Sequence, residues 1–85
     1  MWRADAQLRA AVVEALIADD ELRGADLDVS ARDEVVTLRG DVEHPGERER
    51  AGRVALYVPG VWRVVNRLRV SPGAPERLAD GTAPQ

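Results

Sequence analysis

The chain has no cysteine, no phenylalanine and no lysine, and each absence closes off a class of explanation. Without cysteine there is neither a disulfide framework nor a thiolate zinc site, so packing alone must hold the domain. Without phenylalanine the core has to be aliphatic, made of Val, Leu and Ala, and the aromatics are Trp2, Tyr57 and Trp62. The one histidine, His44, has no second ligand of its own kind and stands beside Pro45, so it reads as a helix-entrance residue with no chemistry assigned. No apolar run approaches the roughly 18 to 20 residues that a membrane-spanning helix needs. The first residues, Met1-Trp2-Arg3-Ala4-Asp5, lack the apolar stretch of a signal peptide. Taken as complete, the chain is expected in the cytoplasm, and at a membrane only peripherally.

What is present is one small domain of 85 residues with an uneven charge distribution. All twelve basic residues are arginine. Residues 1–47 hold five of them against twelve acids, a balance of −7, whereas residues 48–70 hold six against one acid, a balance of +5. The tail adds −1, for a net charge of −3. A basic half therefore lies inside an acidic protein of pI ≈ 5.1.

From Asp5 to Asp19, Leu8, Val12, Ala15 and Leu16, widened by Ala11 and Ile17, recur with a helical period, with Asp5 as the cap. The acids Asp19-Asp20-Glu21 stand at the wrong end for the helix dipole and help stop the helix; Gly24 then releases the chain, and Leu22 is a late core contact. Leu27, Val29 and Ala31 alternate with Asp28, Ser30 and Arg32, the signature of a strand with one buried face. Asp33-Glu34 is the turn. Glutamate suits the positive φ of a two-residue hairpin badly, which leaves a longer or type I turn as the alternative. In the second strand Val36, Leu38, Gly40 and Val42 face inward and Val35, Thr37, Arg39 and Asp41 outward, with Gly40 making room for a helix.

His44-Pro45-Gly46 breaks the strand, and Pro45 suits the first position of a second helix, whose dipole Glu47 favours. Ala51, Val54, Ala55 and Val58 mark its buried face before Pro59-Gly60, while Arg48, Arg50 and Arg53 point elsewhere. A third strand runs over residues 61–70, with Val64, Asn66, Leu68 and Val70 inward and Arg63, Val65, Arg67 and Arg69 outward. Residues 71–85, rich in Pro, Gly and Ala, are expected to be disordered. The order defines an α+β fold, αββαβ over residues 5–70 after a short extension (1–4), with a three-stranded mixed sheet and both helices on one face. A right-handed crossover sets the third strand parallel beside the second; pairing with the first is the alternative.

The combination of Val35-Val36-Thr37-Leu38-Arg39-Gly40-Asp41-Val42 with Pro59-Gly60-Val61, Val64-Val65-Asn66 and Leu68-Arg69-Val70 is similar to the BON domain family. Leu8, Ala15-Leu16, Asp19-Asp20, Leu22, Leu27-Asp28-Val29, Glu47-Arg48, Ala51 and Ala55 add to it, so the resemblance covers about residues 5 to 70. The family commonly has glycine where this chain has Glu34, and a small polar residue where it has Arg39. The resemblance implies the same αββαβ fold and a noncatalytic bacterial module that attaches to phospholipid surfaces, often in envelope or stress-related proteins.

On that reading the candidate anionic-surface residues are Arg39, Arg67 and Arg69 on the uncovered sheet face with Arg63, then Arg48, Arg50 and Arg53 on the second helix, and Trp62 with Tyr57 as interfacial aromatics. The competing reading pairs these arginines with Asp28, Asp41 and neighbouring acids, at small gain. Association with another copy or another protein, through the open face around Val35 and Val65 or through an edge strand, is the second functional reading. Nucleic acid is not expected: the pI is low and no GxxG loop joins the helices. No cofactor or metal is expected either. Asp19-Asp20-Glu21 lacks calcium-loop spacing and reads as a solvated charge run, and Ser30 and Thr37 have no histidine to activate them. Asn66, on the inward parity, is expected to bond backbone at the first helix or a loop boundary.

Overall fold

The computed structural model describes residues 4–23 and 25–71; Gly24 and residues 72–85, where chain release and a disordered tail are expected, lie outside them. The elements are α1 (Asp5–Ile17), one 3₁₀ turn (Asp20–Leu22), β1 (Asp26–Arg32), β2 (Val35–Val42), α2 (Pro45–Leu56) and β3 (Arg63–Val70). β1 and β2 form an antiparallel hairpin, and β3 runs parallel to β2 on its other side, so β2 is central. The crossover through α2 thus joins neighbours, and β3 does not pair with β1.

The buried residues follow the helical and strand periods. α1 contributes Leu8, Val12 and Leu16, and β2 contributes Val36, Leu38 and Val42; Val29, Leu68, Leu22, Val58 and the small Ala51 and Ala55 of α2 complete the core. Among the described residues no polar or charged residue is buried as a whole. Each fully covered Leu or Val contributes about 1.5–3 kcal/mol. Both helices therefore lie on the Val36–Leu38–Val42 face, and the other face of the sheet is open.

Several local details differ from expectation. α1 is capped at Ala4, and Asp5 is its first helical residue; the Asp5 carboxylate accepts the Asp33 N–H at 3.1 Å and ties the helix start to the hairpin instead. Ile17 does not widen the buried stripe. It is 77% exposed, because one further step of about 100° carries it past the edge of that stripe. The helix also stops before Asp19, which turns extended to cap the 3₁₀ turn and accepts the Glu21 N–H at 2.9 Å.

Gly40, at φ +133°, makes room for a strand and not for a helix: a Cβ there would stand 1.8 Å from the Asp26 carbonyl oxygen of β1. The close approach of a helix occurs at Gly52, where a Cβ would meet Asn66 Nδ2 at 3.0 Å. Asn66 accordingly bonds α2 and not α1. Its Nδ2 donates to the Arg48 carbonyl at 2.8 Å, and its Oδ1 accepts the Leu68 N–H at 3.2 Å. The hairpin is the tight two-residue form, with Arg32 opposite Val35 and both Asp33 (φ 52°) and Glu34 (φ 70°) in the left-handed region. The Glu34 carbonyl then accepts the N–H groups of Trp62 at 2.9 Å and Arg63 at 3.4 Å, which fixes where β3 begins.

A candidate anionic-surface interface

Alternation along each strand and the pairing register together place four rows of residues on the open face. They are Arg32, Val35 and Arg63; Ser30, Thr37 and Val65; Asp28, Arg39 and Arg67; and Asp26, Asp41 and Arg69. Arg39 and Arg67 are direct neighbours across the parallel pairing, and both are exposed. Among the described residues the ion pairs are Arg23–Asp20, Arg50–Asp19, Arg50–Glu21 and Arg69–Asp41, so neither Arg39 nor Arg67 has an acid partner there. Arg69 does: its Nε lies 3.5 Å from the Asp41 carboxylate, at a solvent-exposed position where such a pair contributes little.

The aromatics sit at the hairpin end of the domain. Tyr57, the C-cap of α2, is 81% exposed, and Trp62, bonded to the Glu34 carbonyl, is 70% exposed. Leu56 is exposed beside them, Arg63 opens β3 next to Trp62, and Arg53 lies one helical turn before Tyr57. The structure thus gathers Arg39, Arg63, Arg67 and Arg69 on one face and sets Arg53, Tyr57 and Trp62 toward one end.

The other two helix arginines are engaged within the fold. Arg48 Nε donates to the Leu68 carbonyl at 3.0 Å, on the outer edge of β3. Arg50 Nε reaches both oxygens of Asp19, at 2.9 and 2.8 Å, with Glu21 at 3.4 Å. The acidic cluster is therefore not simply a solvated charge run. The Asp19 side chain is 9% exposed, and its hydrogen bonds from Arg50, and then from the Glu21 N–H, hold its pKa below the ordinary 3.8 against the opposing effect of desolvation. Arg50 is raised in return, first by the same hydrogen bond.

Two features carried no signal in the sequence. Arg9 Nε donates to the Val29 carbonyl at 3.1 Å, so α1 sends an arginine to β1 as α2 sends Arg48 to β3; a single long side chain reaching a backbone carbonyl twenty residues away has no periodicity to betray it. A groove of about 460 Å³ also opens between α1 and β1, walled by Val13, Leu16, Ile17, Leu22, Arg23, Ala25, Leu27 and Val29. Among the described residues no three acids or histidines gather as a metal site, and His44 is the exposed N-cap of α2. Among those residues, too, no helix is long and apolar enough to cross a membrane.

A three-stranded mixed sheet with both helices on one face and an open, arginine-bearing face on the other defines a small αββαβ module organised around a surface. The chain belongs to the BON domain family, a family of binding modules, whose model matches residues 4–72. It is also 38% identical over 66 residues to the osmotically-inducible protein Y of Escherichia coli (strain K12), an alignment covering 78% of this chain and 33% of that protein. The chain thus spans about a third of its relative's length.

Proposed function

We propose that the domain is a noncatalytic module that attaches to anionic phospholipid surfaces through the open face of its sheet. The observation that carries this reading is the Arg39–Arg67 pair, two exposed guanidinium groups set side by side with no acid partner among the described residues. Like charges opposed across a sheet destabilise it; Asp28, opposite Arg39 on the other side, offsets part of that cost, and an anion bound between the two arginines offsets more. Arg63 and Arg69 lengthen the basic strip along β3, Arg53 adds charge toward the hairpin end, and Trp62 and Tyr57 are amphipathic rings of the kind that settle at headgroup level. Each basic residue close to an anionic bilayer contributes about 1 kcal/mol. Arg48 and Arg50 contribute chiefly by keeping β3 and the 3₁₀ turn in place. The relative's name speaks of osmotic induction, and by extension we assign this module to a stress response.

Co-sedimentation with vesicles tests the reading. Binding is expected to vesicles containing anionic lipid at low salt, to weaken at high salt, and to be absent with neutral vesicles. Reversing both charges, Arg39→Glu with Arg67→Glu, is expected to lower vesicle affinity at least about tenfold while the domain stays folded, since both side chains are exposed. Unchanged binding by that variant would remove the sheet face from the mechanism. A wild-type chain that ignores anionic vesicles at low salt would end the lipid reading altogether.

A further inference from the structure

The two edges of the sheet are closed to different degrees. On β3, side chains engage both backbone groups of Leu68: the N–H donates to Asn66 Oδ1 at 3.2 Å and the carbonyl accepts from Arg48 Nε at 3.0 Å. On β1 the corresponding contact among the described residues is a single one, from Arg9 Nε to the Val29 carbonyl. The two-residue turn makes Arg32–Val35 a hydrogen-bonded pair, and such pairs alternate along an antiparallel ladder. Leu27, Val29 and Ala31 therefore turn their N–H and C=O groups away from β2, toward solvent. The outer edge of β1 is a row of available donors and acceptors, and it runs beside the groove of about 460 Å³.

We propose that a second copy of this chain pairs with β1 through its own β1, antiparallel and centred on Val29. A two-fold axis there sets Val29 opposite Val29, Leu27 opposite Ala31, and Asp26 of each copy opposite Arg32 of the other. The inner pairs join through the outward backbone groups just described, two hydrogen bonds to a pair. At both ends of the contact an exposed carboxylate meets an exposed guanidinium on the open face. On the helix side Leu27, Val29 and Ala31 of the two copies adjoin and extend the apolar floor of the groove, next to Ile17, whose side chain the isolated domain leaves uncovered. Arg9 takes one lone pair of the Val29 carbonyl and leaves the second for the partner strand. Other registers fit less well. Centring on Asp28 sets that carboxylate against its own copy, and centring on Ser30 shortens the overlap.

Sedimentation velocity on the full chain over a range of concentrations is the test, with a shift toward twice 9.3 kDa expected. Asp26→Arg opposes like charges at both ends of the contact and is expected to raise the dimer dissociation constant at least about tenfold. Adding Arg32→Asp restores opposite charges in exchanged positions and is expected to restore dimerisation, with circular dichroism checking that both variants fold. A chain that stays monomeric up to about 1 mM, a dimer indifferent to Asp26→Arg, or a double variant no better than the single one each overturns the proposal.

Discussion

Glu34 occupies a backbone conformation, φ 70°, that an L side chain adopts at a cost of about 1–2 kcal/mol and glycine adopts freely. Glu34→Gly is therefore expected to stabilise the domain by about 0.5–1 kcal/mol, the relief of strain being offset in part by the looser unfolded chain. A rise in melting temperature of about 2–8 °C measures it. Its main-chain carbonyl, which holds Trp62 and Arg63, is retained in the variant. Asp19 makes a pH-dependent contribution of known sign. Its folded pKa lies below 3.8, so the ionised carboxylate stabilises the native state at pH above 3.8, and that stabilisation is lost as pH falls through the folded value. Asp19→Asn is expected to lower the urea midpoint at pH 7, with the gap to wild type closing on acidification below 3.8.

At the scale of elements, helices and strands could be read from the chain because each has a single buried face. Val36, Leu38 and Val42 against Thr37, Arg39 and Asp41 identify a half-covered strand, and the same parity places Arg39, Arg63, Arg67 and Arg69 together on the open side. Contacts that depend on how a helix seats on the sheet had no such signature. Gly40 and Gly52 are both glycines under crowding, but one faces the backbone of β1 and the other the amide of Asn66, a distinction made only by the packing. A helical wheel sets Arg48 at the margin of the buried stripe of Ala51, Val54 and Ala55 and Arg53 nearly opposite it, but that Arg48 reaches the Leu68 carbonyl is decided by the packing, while Arg53 is exposed to solvent. Arg48→Met keeps the packing stem and removes the donor, so it is expected to cost about 1 kcal/mol in chemical denaturation.

For the whole molecule, the net charge of −3 conceals a separation of charge that decides which surface an anion can approach. Acids are concentrated on the helix ends, the 3₁₀ turn and β1, whereas β3 carries Arg63, Arg67 and Arg69. At physiological salt the Debye length is about 8 Å, so a ligand held against the β2–β3 half of the open face is largely screened from acids at a distance, and the local balance governs. Binding through that face and pairing through β1 use different strands, with Arg39 and Arg67 of β2 and β3 at the centre of the one and Val29 of β1 at the centre of the other. A paired sheet would present two such basic strips on one continuous surface. The vesicle and sedimentation experiments report on them separately.

The tie from Asp5 to the Asp33 N–H places the start of α1 at the hairpin end, while the Ser71 N–H, bonded to the Val42 carbonyl at 2.7 Å, places the other limit of the described fold at the opposite end. The polypeptide thus crosses the domain from pole to pole. Trp62, bonded to the Glu34 carbonyl of the turn, shares the pole at which α1 begins, so the aromatic end and the last described residue, Ser71, face opposite ways along the sheet.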